Sequence, residues 1–237
     1  MVQSTLMPKR RPWGRSELLA PVLAGLLTLV AGVSRAQEKA PPSAQERIEE
    51  FREDVKKGKK RGVRKATEEP GFFDLLDAEG RTPVFAVTEG LEAEIIETVL
   101  AARPNLEHLD ADGKTVLITA AEKGHALAVD ALIAAGASVE ATDPGGRTAL
   151  VFAALGGHSE VARLLLAGGA AVDAKDQNGA TPLVYACAKG FYAVPKLLLE
   201  NGADVSVRTR QGATALSLAQ RKNAQRVVRL LRRHGAK

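Results

Sequence analysis

The sequence predicts an all-α helix-turn-helix solenoid of about six 33-residue repeats with degenerate terminal caps, and three observations carry that expectation. Asp77, Asp110, Asp143 and Asp176 stand 33 residues apart, with Thr209 at the next register point. Gly80, Gly113, Gly146, Gly179 and Gly212 follow three residues later, and Thr82, Thr115, Thr148, Thr181 and Thr214 two after those, in unbroken phase. The composition, 45% hydrophobic but only 4% aromatic, implies a core of small aliphatic side chains, which suits closely stacked helices. A period of this length marks units that cannot bury their apolar faces alone and do so on their neighbours.

Each unit reads in order. The Asp-x-x-Gly segment is a turn, with the carboxylate bonding nearby backbone and the glycine taking positive φ. The Thr is placed to N-cap a first helix, and Pro83 and Pro182 follow it where a missing amide costs nothing. Small residues line that helix at Ala120-Ala121, Ala153-Ala154 and Ala186-Cys187, allowing close approach, and Gly124, Gly157 and Gly190 end it. A second helix carries paired aliphatics at Val99-Leu100, Leu132-Ile133, Leu164-Leu165, Leu197-Leu198 and Leu230-Leu231. Gly136-Ala137, Gly169-Ala170, Gly202-Ala203 and Gly235-Ala236 close it.

Upstream, Lys9, Arg10, Arg11 and Arg15 precede an uncharged stretch from Leu18 to Ser34, the pattern of a secretory signal. Ser34-Arg35-Ala36 places cleavage between Ala36 and Gln37, so residues 1–36 read as a signal peptide and 37–43 as a linker. The alternative is an uncleaved anchor, since the stretch reaches the lower edge of a bilayer span. Pro12-Trp13 after Arg10-Arg11 argues against twin-arginine export, and no cysteine follows the apolar run to serve a lipoprotein anchor. The repeat domain is expected over 44–237, divided into a degenerate N-cap at 44–76, units at 77–109, 110–142, 143–175 and 176–208, and a C-cap at 209–237. Ile48, Phe51 and Val55 mark the first helix of the N-cap at helical spacing. Three departures stand out: Gly90 is one place early, Arg103-Pro104 replaces a Gly-Ala, and Asn223 replaces a helix-ending glycine.

These residues resemble the ankyrin repeat family, whose pattern is a turn, Thr-Pro-Leu-His, small residues, Gly-His, a Leu-Leu pair and Gly-Ala. The clearest copies run from Asp143 through Gly157-His158 and from Asp176 through Gly202-Ala203-Asp204-Val205. The histidine after Thr-Pro-Leu is replaced throughout, by Phe85, Ile118, Val151, Val184 and Ser217. That substitution exchanges inter-repeat hydrogen bonds for mostly apolar contact.

The net charge of +5 and pI near 9.4 invite a nucleic-acid reading. Its distribution argues otherwise. The leader holds five basic residues and one acid, residues 77–208 hold 10 against 18, and residues 209–237 hold eight and none. The mature chain is an acidic stack with a basic end, and no nucleic acid is expected as its partner.

Motifs of chemistry reduce to repeat structure. Gly113-Lys114-Thr115 mimics the end of a phosphate loop, but His108 stands where a glycine is required. Gly157-His158-Ser159 lacks the second glycine of a nucleophile elbow, having Val161. His125 and His158 occupy equivalent junctions, and Cys187 sits at a small-residue position facing the next helix. No catalytic residue, cofactor or metal is expected, and the chain reads as a monomer and not an enzyme.

The resemblance implies a partner protein docked on turn tips and inner-helix positions of the concave face. Mapped onto this sequence, these are Ala111, Asp112, Lys114, Glu122 and Lys123; then Pro144, Gly145, Arg147, Leu155 and Gly156. In the next unit they are Gln177, Asn178, Ala180, Ala188 and Lys189, and in the last Arg210, Gln211, Ala213, Arg221 and Lys222. Phe191 and Tyr192 replace the His-polar junction pair and read as core filling beside Pro195. The leading function is a non-enzymatic binding module in a bacterial periplasm or secreted, including chaperone-like or host-directed effector roles that the family implies. The alternative is docking of the basic C-cap on anionic membrane or polyanion.

Overall fold

The computed structural model describes residues 41–89 and 92–237. The signal peptide over 1–36, the cleavage pair Ala36 and Gln37, most of the 37–43 linker and the displaced Gly90 lie outside the described residues. Eleven α-helices are present among the described residues: α1 (Ala44–Lys56), α2 (Lys60–Thr67), α3 (Ala93–Ala101), α4 (Val116–Lys123), α5 (Ala126–Ala134), α6 (Ala149–Gly156), α7 (Ser159–Ala167), α8 (Pro182–Lys189), α9 (Ala193–Glu200), α10 (Ala215–Arg221) and α11 (Gln225–Arg233). Two 3₁₀ segments, Phe72–Asp74 and Pro83–Glu89, complete them. An inner layer runs α1, Pro83–Glu89, α4, α6, α8, α10, each packed on the next, and an outer layer runs α2, α3, α5, α7, α9, α11. The result is the expected all-α solenoid.

The expected aliphatic pairs divide their labour by register. Val99, Leu132, Leu165, Leu198 and Leu231, 33 residues apart, are fully buried, while their partners Leu100, Ile133, Leu164, Leu197 and Leu230 are half-buried. Ala120-Ala121, Ala153-Ala154 and Ala186-Cys187 are fully buried between inner helices. Burial pushes the Cys187 thiol up to about 12, so it is a packing group and not a nucleophile at neutral pH. The four apolar replacements of the family histidine, Phe85, Ile118, Val151 and Val184, are all buried. Ser217, the polar one, caps α10: its amide donates to Thr214 Oγ1 at 3.2 Å and its hydroxyl receives the Thr214 amide at 3.0 Å.

Several local expectations are corrected. The first helix of the 77–109 unit is 3₁₀, not α. Val84, Phe85, Val87 and Thr88 crowd this short segment with β-branched and aromatic side chains that lose χ1 freedom in an α-helix. Ser43, given to the linker, is the N-cap of α1 in a reciprocal capping box with Glu46. The repeat threonines cap unequally. Thr115 Oγ1 accepts from the Ile118 amide at 3.3 Å, whereas the buried hydroxyls of Thr82, Thr148 and Thr181 have no partner among the described residues. At Thr82 and Thr148 the amide that would be capped bonds instead to the threonine's own carbonyl, Phe85 at 3.0 Å and Val151 at 3.0 Å. Thr148→Val should therefore be neutral or stabilising, by up to about 1 kcal/mol, while Thr115→Val should cost about 1 kcal/mol. Urea denaturation of both variants checks this; equal losses would refute the distinction.

Two of the sequence departures carry strain. Arg103 (φ 52°) and Asn223 (φ 54°) are the non-glycine residues of positive φ among the described residues, each standing where other units have glycine. Arg103→Gly is expected to raise stability by about 0.5–1 kcal/mol through relief of the left-handed backbone. A thermal melt in which the variant unfolds at or below the wild-type temperature would contradict it.

Candidate protein-docking face

The turn tips are built alike. Oδ1 of Asp77, Asp110, Asp143 and Asp176 accepts two amides within its own turn, at 2.8–3.0 Å, and the following glycines have φ from 68° to 78°. Three of the tips then bond to the previous one. The Ala111 amide donates to Glu79 O at 2.9 Å, Gln177 to Gly145 O at 3.0 Å and Arg210 to Asn178 O at 2.8 Å. At the N-terminal end the Gln45 side chain stands in for a preceding turn, receiving the Ala78 amide at 3.1 Å. Pro144 occupies the same register without an amide hydrogen, so the tips at 110–114 and 143–147 lack this link.

The inner-helix layer beside the tips is tied together by charge. Arg52 of α1 donates to Glu89 at 3.1 Å and approaches Asp77 at 3.5 Å, and Lys56 meets Glu89 at 3.0 Å. Lys123 donates to Thr88 Oγ1 at 3.0 Å. Desolvation, with Arg81 and Arg52 nearby, lowers the Lys123 pKa even though Glu89 opposes it. Further along, the Phe152 ring meets two cations, Lys114 at 5.2 Å and Arg147 at 4.7 Å from the ring centroid. Lys114 also pairs with Glu122 at 2.7 Å, and Arg147 Nε donates to Asp143 at 2.8 Å. The Tyr185 hydroxyl donates to Asp176 at 2.5 Å, and burial together with that carboxylate pushes its pKa up to about 12.

These networks give the fold an acid-side dependence. Burial opposes ionisation of Glu89 and Asp143, yet hydrogen bonds from Arg52 and Lys56 to the former, and from Arg147 to the latter, outweigh it and hold both carboxyls below their ordinary range. A depressed folded pKa contributes stability above the unfolded value, near 4, that is lost as pH falls through the folded one. Burial, with Lys123 beside it, also holds the His125 imidazole below its ordinary range, so the melting temperature should decline slightly between about pH 7 and 5 and fall more steeply below about pH 4. A melting temperature that rises on acidification would refute the assignment.

The sequence-derived surface residues sort into two groups. Lys114 and Arg147 are largely covered and engaged within the fold, and Ala180 is buried beneath Asp176, contrary to expectation, because its amide closes the turn onto that carboxylate. Asp112, Glu122, Lys123, Asn178, Lys189, Arg210, Arg221 and Lys222 are exposed, and Leu155 is half-buried. Phe191 is not core filling: it is 38% exposed, its ring lying against Gly157 as the His158 ring lies against Gly124. Tyr192 does pack on the core and carries the Arg226 guanidinium at 4.5 Å. The junction histidine His158 serves backbone, its Nε2 lying 3.1 Å from Glu122 O, and His108, at another position of its unit, has Nε2 2.8 Å from Gly80 O. Among the described residues no group of three or more His, Cys, Asp or Glu could hold a metal ion.

Inner helices joined by glycine junctions to outer helices, with interlinked turn tips on one side, are thus the repeating geometry. The family model for ankyrin repeats in three copies matches four overlapping windows, residues 55–143, 84–176, 128–209 and 169–237. The chain belongs to the ankyrin repeat family. No curated protein matches it. Ankyrin repeats are generally protein–protein interaction modules and typically non-enzymatic. One feature of this ankyrin array escaped sequence reasoning. Glu107, Glu140 and Asp173, 33 residues apart, accept the amides of Ser138, Ala171 and Asp204 in the following unit at 2.9, 2.9 and 3.1 Å. Their spacing was the available signal, but acids at a polar position read as solvated charge until the opposing amide is placed.

Proposed function

We propose that this chain is an exported, monomeric, non-enzymatic ankyrin module that holds a partner protein along the rim of its concave face. The observation that supports it most is the contrast between an internally paired floor and an open rim. Lys114 and Arg147 are consumed by Glu122, Asp143 and Phe152, while Asp112, Asn178 and Arg210 at the tips and Lys189, Arg221 and Lys222 at inner-helix ends face solvent. Such a face needs no rearrangement to receive a partner, which limits the entropy lost on binding.

A photo-crosslinking residue placed at Asp112 or Lys189 is expected to form adducts with one partner, and the same group at Arg163 on outer helix α7 to form none. Equal labelling from Arg163, or no adduct from either rim site, would overturn the reading. The export component is supported by the basic segment and uncharged run before Ala36. N-terminal sequencing of the protein recovered from outside the cytoplasm should begin at Gln37. Recovery only from the membrane with an intact leader would favour the anchored form, periplasmic in exposure but uncleaved.

A further inference from the structure

The C-terminal hairpin ends the stack in a way that leaves a purely cationic surface. At three register positions the preceding unit is apolar and covered, and the last is polar. Val184, Cys187 and Leu199 are buried, whereas Ser217 is half-exposed and Gln220 and Arg232 are exposed. A further repeat could not pack there without burying Arg232 unpaired, at a cost no local contact repays. Around this end stand Arg210, Arg221, Lys222, Arg226, Arg229, Arg232, Arg233 and Lys237, all exposed, with no acid between 209 and 237. None of the eight forms an ion pair among the described residues, although fourteen such pairs tie the chain upstream. Arg226, Arg229 and Arg233 follow helical spacing along one side of α11, whose apolar residues Val227, Val228 and Leu231 are buried and Leu230 half-buried, while Lys222 stands at the end of α10.

We propose that this end docks on a membrane surface bearing anionic phospholipid headgroups, by charge alone and without insertion. The chemistry selects among anionic partners. Residues 209–237 contain no Phe, Tyr or Trp, so His234 is the single ring on which a base could stack, too little for a strand-tracking platform, and no large apolar side chain there is exposed to form the dry centre of a protein interface. A plane of headgroup phosphates requires neither. The acidic excess over 77–208 repels the rest of the array from the same plane, so contact is through the terminal hairpin and the concave rim stays accessible. Arg210, Arg221 and Lys222 belong both to this end and to the last stretch of the rim, while Asp112, Asn178 and Lys189 belong to the rim alone.

Sedimentation of the full mature chain with vesicles of equal parts phosphatidylcholine and phosphatidylglycerol tests it. Binding is expected at low salt, absent with phosphatidylcholine alone, and abolished by about 0.5 M NaCl, where the Debye length falls to about 4 Å. Combining Lys222→Gln, Arg229→Gln, Arg232→Gln and Arg233→Gln should weaken partitioning roughly fivefold per charge and several hundred-fold in total. Arginine-to-lysine replacement at the three arginines should retain it, which separates loss of charge from loss of fold. Salt-insensitive binding, undiminished binding by the quadruple variant, or binding to single-stranded DNA with none to the vesicles would each overturn the proposal.

Discussion

Leu165→Ala is expected to lower the stability of the array by about 3 kcal/mol. Leu165 lies on outer helix α7 at the fully buried position shared with Val99, Leu132, Leu198 and Leu231, and it is 0% exposed. Truncation removes the transfer free energy of the lost methyl and methylene groups and leaves a cavity between α5, α7 and α9 that helices fixed on both sides cannot close. In a solenoid each unit contacts only its neighbours, so a weak unit in the middle also severs coupling between the two ends. Equilibrium unfolding in urea should show a lower midpoint and a broadened or split transition. Leu230→Ala, at the half-buried partner position of the terminal helix, should cost no more than about half as much. Equal costs at the two sites would mean that the stack relaxes around the cavity.

Gly124→Ala should cost about 2–3 kcal/mol, among the larger losses expected of a glycine substitution in this chain. Two effects coincide. Gly124 has φ 76° at the end of α4, so any side chain strains the backbone by roughly 1 kcal/mol. A Cβ there would also lie 2.5 Å from Nδ1 and 2.8 Å from Cγ of His158, and that ring is held over Glu122 O in the neighbouring unit. Gly136→Ala supplies the control, since its φ is 91° but nothing lies within 4 Å of the added carbon. The difference between the two melting-point losses isolates the inter-unit contact, and identical losses would show that the histidine ring yields freely.

The family, the helix order and most of the core were legible because they depend on local spacing. Glycines that end helices and carboxylates that close turns act within a few residues, so their period appears directly in the chain. Legibility failed where a residue's role depends on the next unit. Thr148 and Thr115 occupy the same register in similar contexts, yet only Thr115 caps its helix, because the first turn of α6 winds more tightly and takes the amide for itself. Phe191 read as core filling but lies half in solvent against Gly157. Lys114 and Arg147 read as free surface, and the structure places both on Phe152.

By itself, then, the sequence determined the solenoid, its register, the small-residue seams between inner helices and the separation of an acidic array from a basic end, because each follows from residue type at a fixed period. Only the tertiary structure decided which charged side chains remain available. Charge is a property of a residue, but whether that charge is spent on a group of the adjacent unit, as Lys114 is on Phe152, or left facing solvent depends on how consecutive units are stacked.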